Sequence, residues 1–277
     1  MRELQPLKTL IHNYLRQSDQ IVWDRFSHFD SLPEKSGSPR LTPHQLEAVK
    51  TAFLIEDHIP GYATEYFRIF PVDESVPPEQ AAWNREIQHF IFRWCAEEDR
   101  HAHVLNLYLE STGQVSPEAL LIERIKEGKK AYRAPHDDHF QLFTYTLLQE
   151  KATQIFYMSL RKQIDDPILK EILLRLAQDE ARHCHFFTEA VRIGIQTKET
   201  AAIPLLQDTI DRFKMPLAGI LENYKRRSII MKHAAGGYHH ASAFDYFKKV
   251  LERYATAGPA QKNTLWEDFL GALPLVS

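Results

Sequence analysis

The chain has 277 residues, 44% hydrophobic and 26% charged. This is an ordinary globular composition that excludes disorder and low complexity and, at about 150 residues per domain, suffices for one or two domains. A formal net charge of −3, from 34 basic and 37 acidic residues, argues against the basic footprint of a nucleic-acid partner. No apolar run approaches the ~18 to 20 residues of a bilayer span, and MRELQPLKTL is charged from its second residue and lacks the apolar stretch of a secretory signal, so no membrane span and a cytoplasmic location are expected.

Glycine is scarce, at ten residues, which disfavours an all-β design with many tight turns. Helical periodicity opens at about 4–18 and runs in four long stretches over 43–69, 79–112, 138–163 and 167–195. Pro60-Gly61 is expected to break or kink the first of these. The three prolines of PVDESVPP, at 71–78, separate the first two stretches, and DDP at 165–167 separates the last two, so each pair reads as a helical hairpin. The segment 111–138, with a helix starting at Ser116-Pro117-Glu118, crosses from one hairpin to the other. Further helices are expected at 204–231 and 242–257. The predicted fold is all-α, a single domain over 1–277, with a four-helix core at 43–195 and additional N- and C-terminal helices within 4–28 and 204–273. Cys95 and Cys184 are too few and too far apart for a zinc knuckle or a disulfide framework, and read as small buried residues.

The apolar seams of the core helices are interrupted by the same residue types. Ile87, Ile91, Trp94, Leu105 and Tyr108 define one face of the second long helix, and Glu98 and His101 occupy its gaps. In the fourth, Leu169, Leu173, Leu176, Phe187 and Ala190 are interrupted by Glu180 and His183. Glu56 follows Leu46, Val49 and Phe53 in the first helix. In the third, Glu150, Thr153 and Tyr157 follow Phe143 and Leu147. Antiparallel helices place residues side by side when they are equidistant from the connecting loop. The midpoint of Glu56 and Glu98 falls in the proline loop, and that of Glu150 and Glu180 in the DDP turn. Four glutamates are thus expected at one level.

Isolated carboxylates in an apolar core cost several kcal/mol each, so their convergence requires a strong positive charge between them. Four glutamates and two histidines, with Glu and His three apart on two helices, form the donor set of a di-iron or di-manganese carboxylate bundle. Glu98 and Glu180 would bridge two ions, His101 and His183 would bind one each, and Glu56 and Glu150 would be terminal ligands. Carboxylate oxygens with one imidazole per metal suit Fe(II) or Mn(II), and the absence of thiolates at the seam argues against structural zinc. A lone E-x-x-H is weak evidence, since Glu86 and His89 also make one, but theirs lies on the opposite side of the helix and reads as a solvated pair. His103 and His185 point away from the seam, and His233, His239 and His240 read as loop residues. No G-x-G-x-x-G, G-x-S-x-G or H-E-x-x-H is present, which leaves nucleotide-binding, serine hydrolase and zinc protease readings without support.

These residues occur in an order that resembles the soluble acyl-acyl carrier protein desaturases, the fatty acid desaturase type 2 family of ferritin-like di-iron enzymes. The family's E-E-x-L-P-x-Y resembles the segment from Glu56 to Tyr62, and its W-T-A-E-E-N-R-H resembles Trp94 to His101. Its Q-E-R-A-T resembles Gln149 to Thr153, and its D-E-K-R-H resembles Asp179 to His183. Met215-Pro216, Gly237-Tyr238 and Asp245-Tyr246 also have counterparts, so the resemblance runs from about 42 to 254. It implies a ferritin-like bundle and iron ligation by Glu56, Glu98, His101, Glu150, Glu180 and His183. It also implies that Asp179 hydrogen-bonds a ligand histidine near Trp94, with Trp23 a further member of that network, and that Thr153 stands near the oxygen-binding face.

The implied activity is O2-dependent desaturation of a fatty acyl thioester by two iron ions, with electrons from a reduced ferredoxin. The implied carrier is acyl carrier protein or coenzyme A. It would dock at basic residues such as Arg212, Lys214, Lys225, Arg226 and Arg227, whose last three also read as an ordinary solvated helix face. A homodimer is expected. Asp57-His58 stands where the family has Glu-Ala, Ala102 follows His101 where the family has glycine, and the chain is shorter than the plant enzymes. The alternatives are another di-iron oxygenase on the same scaffold, a hydroxylase or N-oxygenase, and a ferritin-like iron-binding protein without an organic substrate.

Overall fold

The computed structural model describes residues 4–29, 40–255 and 264–273. Among these the regular structure is helical: α1 (Leu4–Gln20), α2 (Pro43–Glu56), α3 (Ile59–Ile69), α4 (Pro78–Ser111), α5 (Pro117–Gly128), α6 (His139–Gln163), α7 (Pro167–Lys198), α8 (Ala202–Asp211), α9 (Tyr224–Ala234), α10 (Ser242–Ala255) and α11 (Thr264–Ala272), with one turn of 3-10 helix before α8. Helices α2, α4, α6 and α7 form the bundle. α6 and α7 make the most extensive helix pair, α2 lies on α4, α1 covers α4 and α7, and α9 covers α2.

The starts of these helices are written locally. Thr42 and Gln45 form a reciprocal capping box at α2. Asp138 accepts the Phe140 and Gln141 amides at α6. Asp166 accepts those of Ile168 and Leu169 at α7, at 2.8 and 3.2 Å. Proline stands in the first turn of α2, α4, α5 and α7, where its missing N–H removes no intrahelical bond. Asp166 also accepts a bond from Tyr108 of α4 at 3.1 Å, so the cap of one hairpin is tied to the other. Near the end of α7, a Cβ on Gly194 would stand 2.3 Å from the Phe140 ring, and the bare glycine permits this approach of α6 to α7.

The expected stretch 43–69 is interrupted at Asp57-His58, giving α2 and α3, as Pro60 implies. Two expected spans need correction. The N-terminal extra helix does not extend over 4–28: α1 ends at Gln20, and Ile21 to Phe29 are non-helical. The stretch 204–231 is not one helix. It divides into α8 and α9 around turns at 212–223, because Pro216 disfavours helical backbone at Met215 and Leu217 and Asn223 take positive φ angles of 61° and 57°. The helix expected over 242–257 is present from Ser242 to Ala255, and its last two positions lie, with the rest of 256–263, outside the described residues. Among the described residues no helix is long and apolar enough to cross a membrane.

Asp166→Ala removes the acceptor for two end-of-helix amides and for Tyr108. It is expected to destabilise the bundle by about 1–2 kcal/mol, read as a lower thermal midpoint, and an unchanged midpoint would show that the cap is redundant.

Candidate metal centre

The level glutamates and the two histidines meet in the middle of the bundle. Glu56, Glu98, His101, Glu150, Glu180 and His183 are all buried, both imidazoles completely. They fall into two groups that share Glu98 and Glu180: Glu56, Glu98, His101 and Glu180 in one, and Glu98, Glu150, Glu180 and His183 in the other. Within each group the donor atoms lie within 4.8 Å of one another.

Each shared carboxylate is divided between the groups. Glu98 presents Oε2 to His101 Nδ1 at 3.3 Å and Oε1 to His183 Nδ1 at 2.9 Å. Glu180 presents Oε1 to His101 Nδ1 at 3.4 Å and Oε2 to His183 Nδ1 at 3.8 Å. Glu56 Oε2 lies 3.9 Å from His101 Nδ1, and Glu150 Oε2 lies 3.4 Å from His183 Nδ1. The two imidazole centroids are 6.0 Å apart. The i, i+3 spacing within α4 and within α7 puts each Glu and its His on one face, and the matched distances from the loops bring the two faces together.

The inward-facing donors test whether this set fits cations. Both Nδ1 atoms, Glu150 Oε1 and Glu180 Oε1 are buried with no hydrogen-bond partner. Buried polar atoms are otherwise nearly always paired, and several orphans aimed at a common space are the state of a site whose donors are meant for metal. The opposite nitrogens are fully occupied. His101 Nε2 pairs with Asp179 Oδ2 at 3.2 Å, and His183 Nε2 with Glu97 Oε2 at 2.9 Å, which fixes ring orientation and turns Nδ1 inward.

The protein's own charges respond to the crowding. Burial and the neighbouring Glu98 push the Glu56 carboxyl up to about 8. Burial and the nearby Glu180 push Glu150 well above the usual carboxylate range. At His101 burial alone would favour the neutral ring, but Asp179 and the surrounding glutamates outweigh it and raise its affinity for a proton well above the ordinary imidazole value. His183 is raised in the same way against its own burial. The cluster thus has a raised affinity for protons.

The acids behind the histidines form a reciprocal pair. Asp179, beside Glu180 on α7, holds the histidine of α4, and Glu97, beside Glu98 on α4, holds the histidine of α7. Arg182 bridges them, at 2.6 Å from Asp179 and 3.3 Å from Glu97. The N-terminal segment completes both: Trp23 Nε1 donates to Asp179 at 2.9 Å, and Tyr14 donates to Glu97 at 2.8 Å. Glu97 is fully buried, yet its carboxyl is held below the usual range because His183 and Arg182 outweigh the burial.

Sequence reasoning assigned no role to Glu97 or Tyr14. Glu97-Glu98-Asp99-Arg100-His101 and Asp179-Glu180-Ala181-Arg182-His183 are two copies of one pattern, [DE]-E-x-R-H, and this repeat carried the signal for Glu97, since whatever Asp179 does its counterpart should repeat, but nothing local marks Tyr14. Trp94 lies beside the cluster without joining this network. Its indole nitrogen has no hydrogen-bond partner, and the ring packs against Tyr66 at 5.1 Å. Thr153 donates to Gln149 O at 3.1 Å.

Two cavities adjoin the cluster. A small one is lined by Trp94, Glu98, Glu150, Glu180 and Pro216. A larger apolar cavity of about 410 Å³ runs between α2, α6, α9 and the 213–218 turns, with Ala52, Phe156, Met215 and Met231 among its walls. Ile55, Glu56 and Thr153 line both. Lys214, Lys232, His239 and His240 also line the larger one. Of the basic residues expected on the docking surface, Arg212, Lys214, Lys225 and Arg226 are exposed. Arg227 is not. It is buried between α9, α2 and α5 and paired with Glu47 and Glu123, so it ties helices together and is withdrawn from that surface. Cys184 is buried as expected, whereas Cys95 is only half-buried. His103 is half-buried against Arg25, and His185 is exposed.

Binding of divalent cations is expected to release protons near neutral pH, because Glu56, Glu150 and the two Nδ1 atoms must give them up. A pH indicator in weak buffer should report acidification on loading, and affinity should fall as pH drops from 8 to 6. Loading without proton release, or affinity flat across that range, would mean that these groups are not the ones displaced.

A family model described as "Fatty acid desaturase" matches residues 29–260. Among curated proteins, "Putative acyl-[acyl-carrier-protein] desaturase DesA2" of Mycobacterium tuberculosis H37Rv is 29% identical over 179 residues, covering 62% of this chain and 60% of its own length. "Stearoyl-[acyl-carrier-protein] 9-desaturase 6, chloroplastic" of Arabidopsis thaliana is 26% identical over 216 residues, covering 75% and 54%. The chain thus spans about 60% or less of the length of these relatives. The X-ray structure of the M. tuberculosis H37Rv DesA2 superposes with a TM-score of 0.66 at 18% identity, over 97% of this chain and 99% of that one, which shows a shared ferritin-like helical fold. With most of its length inside the family match, the chain belongs to the type 2 fatty acid desaturase family.

Proposed function

We propose that this protein is an O2-dependent fatty acyl desaturase that holds two iron ions and acts on an acyl chain carried as a thioester on acyl carrier protein. Glu98 and Glu180 would lie between the ions, His101 and Glu56 at one, His183 and Glu150 at the other. When bound, the iron pair supplies the oxidising power, drawn from O2 and two electrons of a ferredoxin-type donor, that no side chain offers for removing two hydrogens from an unactivated alkyl chain. The products are one carbon–carbon double bond and two waters.

The single observation that carries this reading is the shared wall. Glu56 and Thr153 line both the apolar cavity and the small cavity among the glutamates, so a chain lying in the first brings its methylenes against the second. Ala52, Ile55, Phe156, Met215 and Met231 supply an apolar bed for it and exclude water. Lys214 and Lys232 sit where an anionic carrier arm would approach. Asp179 and Glu97 keep both imidazoles oriented, and Thr153 offers a hydroxyl one turn from Glu150 on the same stripe. The proposal includes residues 1–277 acting as one domain, a cytoplasmic setting and a homodimer. A storage role is not favoured, because an apolar cavity of this size beside the donors has no use in binding iron alone.

The iron-loaded protein, supplied with reduced ferredoxin, O2 and a panel of acyl-acyl carrier proteins, is expected to yield a fatty acid lighter by two hydrogens in mass spectrometry. A product heavier by one oxygen identifies a hydroxylase, and O2 consumption without any acyl product removes the desaturase reading. Ala218→Phe, which fills the cavity away from the glutamates, is expected to lower acyl turnover by roughly tenfold or more while the chain keeps two irons. Unaltered turnover would show that the acyl chain lies elsewhere.

A further inference from the structure

Tyr157 stands between the larger cavity and the glutamate cluster, and the proposed function assigns it no role. It lies two helical turns after Glu150 and one after Thr153 on the same stripe of α6, its ring is 1% exposed, and its side chain lines the larger cavity. Its hydroxyl donates to Glu56 Oε1 in a short contact. Glu56 is therefore split: Oε1 is committed to the phenol, and Oε2 is the oxygen turned towards His101 Nδ1.

The corresponding carboxylate of the other group, Glu150, has its neighbours inside the cluster, Glu180 and His183. Glu150 Oε2 lies 3.4 Å from His183 Nδ1, while its Oε1 is buried with no hydrogen-bond partner. The two halves correspond in the placing of their ligand-type residues, yet their terminal carboxylates are held differently. One terminal carboxylate is held by a phenol from outside the cluster with its other oxygen turned to the histidine, and the other meets only members of the cluster.

We propose that Tyr157 is a positioning residue that orients Glu56 and makes the two cation positions unequal, one served by a carboxylate held by a phenol outside the cluster and one by a carboxylate whose neighbours all belong to it. The inference rests on the two-cation reading above and concerns metal binding rather than turnover. A neighbour that fixes a ligand's orientation is commonly worth tenfold or more in metal affinity, and a phenol donating to a carboxylate oxygen is such a neighbour. Phenylalanine keeps the ring and its packing and removes only the donor.

The test is a Co(II) titration of the metal-free 277-residue chain, followed by calorimetry and by visible absorption, which reports the coordination of each ion. The wild type is expected to take up two Co(II) in two resolvable steps. Tyr157→Phe should weaken one step by roughly tenfold, change the absorption of that step alone and leave the other in place. Glu56→Ala should abolish the same step, and adding Tyr157→Phe to it should change the remaining step no further, since the phenol acts only through Glu56. If Tyr157→Phe binds both ions with wild-type affinity and spectrum, the positioning role is overturned and the two-cation reading stands. If it weakens the remaining step in the Glu56→Ala background, its role is general packing and the proposal fails. A wild type that takes up fewer than two Co(II) overturns this inference together with the reading beneath it.

Discussion

Four carboxylates brought together out of water repel one another, and most of the architecture around them is a consequence of making that tolerable. Burial of a single ionised carboxylate is costly, and removing the partner of a buried charge is costlier still. Here burial and neighbouring carboxylates raise the proton affinity of Glu56 and Glu150, and the surrounding acids raise that of His101 and His183. Proton uptake balances charge but leaves geometry unsatisfied: the imidazole Nδ1 atoms face inward without a hydrogen-bond partner. A pair of cations would satisfy both at once. The donors are also pinned from behind, by Asp179, Glu97 and Arg182, so that the space between them does not close.

The reciprocal pinning explains why the motif occurs twice. The first acid of each [DE]-E-x-R-H lies next in sequence to one shared carboxylate and reaches across to the histidine of the other motif. A single hairpin could not do this for itself. The arrangement makes α4 and α7 mutually dependent, and α1 with the segment after it contributes Tyr14 and Trp23 to the two acids. The N-terminal helix, outside the four-helix core, is thereby part of what orients the cluster.

The six donors were legible because they violate an otherwise regular pattern. A glutamate in an apolar seam is conspicuous, and antiparallel hairpins with short connections turn sequence distance into height, so their convergence could be read by counting. The parts that were not legible depend on contacts between distant segments. Arg227 resembles any basic residue of a solvated helix face until Glu47 of α2 and Glu123 of α5 are seen to enclose it. Tyr14 is an ordinary aromatic of an amphipathic helix, 83 residues from the carboxylate it serves. The stretch 204–231 carries helical periodicity throughout, and the periodicity hid the break that Pro216 and the positive φ of Leu217 impose. Trp94 was placed near the site by resemblance, but only its surroundings show that its indole stays outside the hydrogen-bond network.

The interruption between α2 and α3 belongs to the same electrostatic argument. Glu56 is the last residue of α2, and a helix C-terminus carries partial negative charge, so the helix end adds to the potential that raises the proton affinity of this carboxylate and would equally favour a cation. A continuous helix would have placed no such end there. Pro60 removes the amide that would have bonded back to Glu56, and the chain turns through Asp57 and His58 before helix resumes at Ile59. The turn is tight enough that a Cβ on Gly61 would stand 2.7 Å from the His58 ring, and Tyr62 reaches back to the Ile55 carbonyl at 3.2 Å. Ile55 and Glu56, at this helix end, also line the apolar cavity. The proline that ends α2 therefore sets both the charge felt by the terminal carboxylate and the place where the cavity meets the cluster, which is why a helix break is compatible with a buried site here.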